Sequence, residues 1–455
     1  MVSRFLVAAL SLSLLVSTSL GERTPLGQTE AQQCRLQRIT AAQPSQRITS
    51  EGGETELWNE RDDQFQCAGV VAMRNVLRPK GLSLPNFHPT PRLVYIEEGS
   101  GYISVTSPGC AETYDAYGTQ TTRESREKWE RGSGRDLHQR VHRVRKGDIV
   151  AIHAGAVHWC YNSGNEDLVA VSINDLNHQA NQLDQKFRAF YLAGGPSRKG
   201  QQGGGRYEEE TFHNILREFD TNLLAEAFNI PEEIVRQMQR GGEDRGLSVI
   251  AQEKMGFIRP DEREEREREF DNGLEETYCS MKISTNIENP READIYSRQA
   301  GRVNIVDKHK LPVLKFLDMS AERGYLFPNA LTSPDWSMQG HTIVYVTRGE
   351  AQLQIADHNG QTMMSDRVNK GDMFVVPQYY VSAARAGENG FEWVAFKTTG
   401  WPMRNSLAGY TSVIRGLPLQ VITNSYHMSP KQAEGLKMNR GGQSFLMSPG
   451  RGKQF

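Results

Sequence analysis

Apolar and polar positions alternate in short runs along most of the chain, and Gly or Pro interrupts each run before it grows long. Residues 93–96, 102–105, 148–152 and 168–173 read as strands, as do 342–346, 351–355 and 391–396. Many short strands separated by turn signals predict an all-β dominated fold of antiparallel barrels or jelly rolls. The period becomes helical at 222–228, 231–238 and 429–436, where Pro231 and Pro430 mark helix starts.

The pattern occurs twice. Gly81-Leu-Ser-Leu-Pro85-Asn86 matches Gly324-Tyr-Leu-Phe-Pro328-Asn329, and Val94-Tyr95 with Gly99 matches Val344-Tyr345 with Gly349. Lys146-Gly147-Asp148 then matches Lys370-Gly371-Asp372, and Ala227-Phe228-Asn229-Ile230 matches Ser425-Tyr426-His427-Met428. The spacing between matched positions shrinks along the chain, so the first copy carries extra loops, placed at 112–139 and 194–206, where polar, Gly- or Arg-rich sequence suits a surface insertion.

A length of 455 residues calls for more than one core, and a formal net charge of −2 gives no general attraction to nucleic acid. The basic cluster Arg140, His142, Arg143, Arg145 and Lys146 lacks interleaved aromatics and reads as a solvated loop end. Gly203, Gly204 and Gly205 lack the Lys-Ser/Thr of a phosphate loop. Residues 1–21 combine Arg4, an apolar run and small residues before Glu22, the pattern of a cleaved signal peptide. No other stretch is long and apolar enough to anchor the chain in a membrane, so a soluble lumenal protein is expected. Five cysteines fit two bridges and one free thiol in such a compartment, with Cys160 beside Trp159 as the buried free one. Between the copies, residues 259–278 alternate acid and base with little apolar content, which predicts a mobile, protease-accessible connection.

The Lys-Gly-Asp turns, the paired Val-Tyr strands and the junction Asn272-Gly273-Leu-Glu-Glu-Thr-Tyr-Cys279 resemble the legumin-type 11S seed storage globulins of the cupin superfamily. The resemblance covers nearly the whole chain after the signal peptide. It implies two cupin jelly-roll barrels, each followed by a small helical arm. The corresponding division is a signal peptide at 1–21, an N-terminal cupin domain and arm at 22–250, a charged disordered linker at 251–272 and a C-terminal cupin domain and arm at 273–455. It further implies a non-enzymatic nitrogen reserve, moved through the endoplasmic reticulum to seed protein storage vacuoles and often recognised as a food allergen. Bridges Cys34–Cys67 and Cys110–Cys279 are implied in the same way. So is cutting between Asn272 and Gly273 by an asparaginyl endopeptidase, which turns a homotrimeric precursor into a homohexamer. Leu223, Leu224, Phe228, Ile234 and Met238, with Leu436 and Met438, are the expected apolar faces between subunits.

Two rival readings are a metal-dependent bicupin oxidase and a bicupin that binds a small ligand such as a sugar. Catalytic cupins hold Mn or Fe through His-x-His and Glu in one motif and His in a second. His158 stands at the second-motif position of the first copy, but the first motif supplies Asn86, His88 and Arg92, and an arginine cannot ligate a metal. In the second copy Met338, Thr342 and Ser382 stand where His, Glu and His would be needed. His153 and His158 read as hydrogen-bonded structural residues. The expectation is therefore no catalytic, cofactor-binding or metal residue.

Overall fold

The computed structural model describes residues 34, 36–59, 62–107, 109, 110, 112, 114, 115, 137–196, 212–252, 255 and 279–450. The expected signal peptide, the charged segment 259–278 with Asn272 and Gly273, the glycines 203–205 and most of both expected insertions lie outside these residues.

Two barrels account for most of the described chain. In the first half, a seven-stranded antiparallel sheet includes Val70–Leu77, Arg92–Glu98, Asp148–Ile152 and Leu168–Asp175. A second sheet includes Gly81–Phe87, Ser100–Thr106, Val141–Arg145 and Val157–Tyr161. The basic cluster expected to end a loop is therefore largely a strand: Val141 and Val144 are buried while Arg143 and Arg145 stay in water. Alternation accounts for Val144, since Arg143 and Arg145 fall on the face opposite it, while Val141 shares their face and is buried at the start of the strand.

In the second half, the expected pair of strands at 342–346 and 351–355 is one continuous strand, Thr342–Ala356. Gly349, at φ 72°, carries the chain through a register shift instead of a turn. Likewise 391–396 is the end of the long strand Val381–Lys397.

Strand Arg92–Glu98 is buried on both faces up to Glu97, which is why its sequence reads as an apolar run. Val94 and Ile96 point into the first barrel with Ile103, Val150 and Ile152. Leu93 and Tyr95 point the other way, into a core shared by both barrels that also contains Trp58, Ile149, Ile343, Tyr345 and Phe396. The second barrel closes around Val346, Leu353, Phe374 and Trp393.

The halves also exchange their leading segments. Ser284–Asn286, from the second half by sequence, pairs with Asp148, Ile149 and Val150 at the edge of the first barrel's sheet. Reciprocally, Ala42 bridges Met373 in the second barrel, and Ile39 is fully buried in that barrel's core with its N–H donating to the Met363 carbonyl at 2.9 Å. Ala42 and Thr285 stand at the spacing that relates Gly81 to Gly324, and their partners Met373 and Ile149 are themselves matched positions. The exchange therefore follows the internal repeat.

The helical arms are Thr221–Phe228 with Glu232–Arg240, and Leu419–Tyr426 with Pro430–Met438. Asn229 and His427, matched by the repeat, both end a helix in the left-handed conformation at φ 52° and 49°. Leu223, Phe228, Ile234, Leu436 and Met438 are each about half exposed. Leu224 differs from expectation: it is buried inside its own arm against Ala225 and Val235, because it lies on the inner face of its helix.

Candidate functional site

The residues flagged as failed metal ligands do converge inside the first barrel. His88, Asn86, Arg92 and His158 are all more than nine-tenths buried. His88 Nδ1 lies 3.1 Å from the Arg188 carbonyl and His158 Nδ1 lies 3.1 Å from the Ala156 carbonyl. A carbonyl only accepts, so in both rings Nδ1 carries the proton and Nε2 is an acceptor. The rings sit 5.5 Å apart, and Arg92 Nη1 approaches His158 Nε2 at 3.4 Å while Arg92 Nε donates to Asn174 Oδ1 at 2.9 Å.

The electrostatics here oppose a metal. Burial first, and then the Arg92 charge, push His158 down to about 3 and His88 well below the usual imidazole range. The cluster thus holds one guanidinium and two neutral rings, with no carboxylate paired to Arg92 among the described residues. A divalent ion would meet a fixed cation where a carboxylate ligand is required. His153 turns away to Ser107, whose Oγ lies 3.4 Å from His153 Nε2.

The corresponding place in the second barrel is a buried charge network. Lys397 Nζ donates to Thr342 Oγ1 at 3.2 Å and lies 3.8 Å from Glu322 Oε2, while Arg404 pairs with Glu322 and lies 3.9 Å from Asp335 Oδ2. Ser382 sits opposite Asp335 in the sheet. Here too a cation, Lys397, stands beside the position of the missing acid. A cavity of about 80 Å³ adjoins this network and is walled by Phe374, Phe391 and Trp393. Lys397, Arg404, Glu322 and Asp335 escaped the sequence reading. One signal was available, since Trp393, Ala395 and Lys397 alternate onto one face of a strand and place a charge where the pattern demands an apolar residue.

Between the barrels, two Tyr-Glu-Arg groups face each other. Tyr95 Oη donates to Glu288 Oε1 at 2.7 Å, and Arg323 Nε donates to the same oxygen at 3.4 Å. Tyr345 Oη donates to Glu97 Oε2 at 3.2 Å, and Arg74 Nε donates to that oxygen at 3.2 Å. Each tyrosine reaches a carboxylate of the other half. The repeated Val-Tyr pair marked both tyrosines, but their partners are distant in sequence.

Cys110 and Cys279 are disulfide-bonded with Cα atoms 5.4 Å apart, so a covalent link spans the two halves, and Cys34 and Cys67 are bonded with Cα atoms 4.5 Å apart. Cys160 is free as expected but only partly buried, packed against the first barrel's core, and desolvation of its sulfur pushes the thiol up to about 12, which makes it a poor nucleophile. Among the described residues no group of three His, Cys, Asp or Glu side chains is placed to hold a metal ion, and no helix is long and apolar enough to cross a membrane.

Residues 39–196 and 285–434 match the family described as Cupin. The chain is 66% identical over 457 residues to the 11S globulin seed storage protein 2 of Sesamum indicum, covering 99% of both. The crystal structure of the coconut allergen cocosin superposes with a TM-score of 0.80 at 37% identity, covering 91% of this chain and 100% of that one. Procruciferin, an 11S globulin from Brassica napus, gives 0.80 at 36% identity, covering 92% and 98%.

Proposed function

The chain belongs to the cupin family, among its 11S seed storage globulins, and from that premise we propose that it is made as a secreted precursor, cut once between its barrels and stored as a larger particle. It is a seed storage protein and not an enzyme. The observation that carries this is identity along the whole chain to a named storage globulin. The two barrel interiors agree with it chemically, since Arg92 occupies a place where a metal-binding cupin needs a ligand and Lys397 stands beside Thr342 at another.

Its likeness to procruciferin and to the pumpkin pro-11S globulin supports reading it as an oligomeric globulin of seeds. The finer course that we propose begins with removal of residues 1–21 and leads to the protein storage vacuole. An asparaginyl endopeptidase cuts between Asn272 and Gly273, and the Cys110–Cys279 bridge keeps the two products joined. The precursor is a homotrimer held by the arms, where Leu223, Phe228 and Ile234 of one arm and Leu436 and Met438 of the other offer apolar surface. Removing the charged end of the first product from one trimer face lets two trimers stack without burying unpaired carboxylates, each of which would cost several kcal/mol. Sedimentation of wild type treated with the endopeptidase and of Asn272→Gln tests the reading. The cut wild type should run as a hexamer and the variant as a trimer; hexamers formed equally by the uncut variant would overturn the assembly switch.

A further inference from the structure

The cavity of the second barrel has a chemistry that storage does not require. Its apolar wall is formed by Phe374, Phe391 and Trp393, and Lys397 and Arg404 lie at its polar end. Lys397 is 6% exposed, and an ammonium has three N–H donors. Among the described residues only Thr342 Oγ1, at 3.2 Å, accepts from it within hydrogen-bond distance. Glu322 Oε2, 3.8 Å away, is already engaged by Arg404. A buried ammonium left with unused donors is costly, and a ligand oxygen is what those donors lack.

The charges set the sign of the ligand. Lys397 and Arg404 face Glu322 and Asp335; burial lowers the Lys397 ammonium, which Glu322 offsets, and pushes the Asp335 carboxyl up to about 6, so below that pH the two cations face one carboxylate and an anion can complete the balance. The volume sets the size. At roughly 10–15 Å³ for each water-sized position, a cavity of about 80 Å³ holds a chain of only a few heavy atoms.

We propose that the second barrel binds a short-chain aliphatic carboxylate, its oxygens taking the free Lys397 N–H groups and its hydrocarbon lying against Phe374 and Trp393. Ser382, Ala383 and Ala384 are partly exposed members of the lining and offer a route of entry.

Saturation-transfer NMR of the full-length protein with sodium butyrate, at constant ionic strength in sodium chloride and below the Asp335 value of about 6, tests the site. Saturable transfer to butyrate is expected, weakened about tenfold or more in Lys397→Met. Ala395→Val fills the cavity from its wall and leaves all four charges in place, so it should weaken binding equally while the fold, followed by circular dichroism, is kept. Absence of saturable transfer at large butyrate excess would overturn the proposal, because it would mean that the cavity holds only water or chloride. Binding unchanged in the folded Ala395→Val protein would overturn it equally.

Discussion

Asn286 donates from its side-chain amide to Asp148 Oδ1 at 2.8 Å, tying the leading segment of the second half to the Lys-Gly-Asp turn of the first. Gln43 repeats the contact in reverse, donating to Asp372 Oδ1 at 2.9 Å. Each half completes the edge of the other's sheet, and each bond adds on the order of 1 kcal/mol to the burial that accompanies it. The repeat thus specifies an exchange between the halves as well as two similar barrels.

The exchange predicts how protein cut at Asn272–Gly273 behaves on reduction. Opening Cys110–Cys279 removes the covalent link, but the leading segments and the shared core around Trp58, Tyr345 and Phe396 remain. Size-exclusion chromatography in reductant without denaturant should show an undissociated particle. Two separated chains under those conditions would show that the bridge alone joins them.

The leading segment should also be expensive to damage. Ile39 is fully buried in the second barrel although it belongs to the first half, and Ile39→Ala should destabilise the protein by about 2–4 kcal/mol through transfer and cavity effects. Urea unfolding monitored by fluorescence measures the loss, and a change below about 0.5 kcal/mol would mean that the segment is peripheral.

Asp175 gives a pH dependence with a definite sign. Burial, with the nearby Asp318 charge, pushes its carboxyl up to about 7, against about 3.9 when unfolded. The folded state therefore keeps a proton that the unfolded chain has released, and stability from this group is full below about pH 4 and falls as pH rises to about 7. Asp175→Asn stays neutral, so it should match wild type at pH 4 and exceed it by up to a few kcal/mol at pH 8. Thermal unfolding at the two pH values reads this difference.

Tyr345→Phe tests the contact between the barrels. It removes the hydroxyl from Glu97, leaving that buried carboxylate to Arg74, and should cost about 1–3 kcal/mol. A denaturation midpoint unchanged from wild type would show that the tyrosine contributes packing alone.

Exhaustive dialysis against chelator should leave both the melting temperature and the particle size unchanged, since Arg92 and Lys397 put fixed cations into the two barrel interiors. Stoichiometric Mn, Fe or Zn retained through dialysis would contradict this reading of the interiors.

Local pattern carried much of this fold. Residues 149–152 are a short apolar run that follows the Lys-Gly-Asp turn and precedes a second turn at Gly155, and the strand Asp148–Ile152 has nearly those bounds, buried on both faces. At Gly349 local pattern misled, because a glycine that signals a turn can equally carry a bulge, and pairing with Val381–Lys397 decided for the bulge. The short helix Asp63–Ala68 was not legible either: its six residues are too few to show a helical period, and it is held in place by Gln64, which accepts from the Val375 N–H of the distant barrel at 3.1 Å. The failed metal set could be read one position at a time, whereas the Lys397–Glu322–Arg404 network joins three strands and has no local spacing to betray it.

The reciprocal edges also order events in time. A chain growing from its N-terminus makes Asp148–Ile152 well before Ser284–Asn286 emerges, a delay of roughly ten seconds at ordinary rates of synthesis. During that interval the first barrel carries an uncovered edge strand, while Ile39 and Ala42 wait for a barrel that does not yet exist. Neighbouring nascent copies offer the same edges and the same leading segments, so synthesis at high density invites one molecule's segment into another's barrel. The second half therefore acts as the late-arriving chaperone of the first.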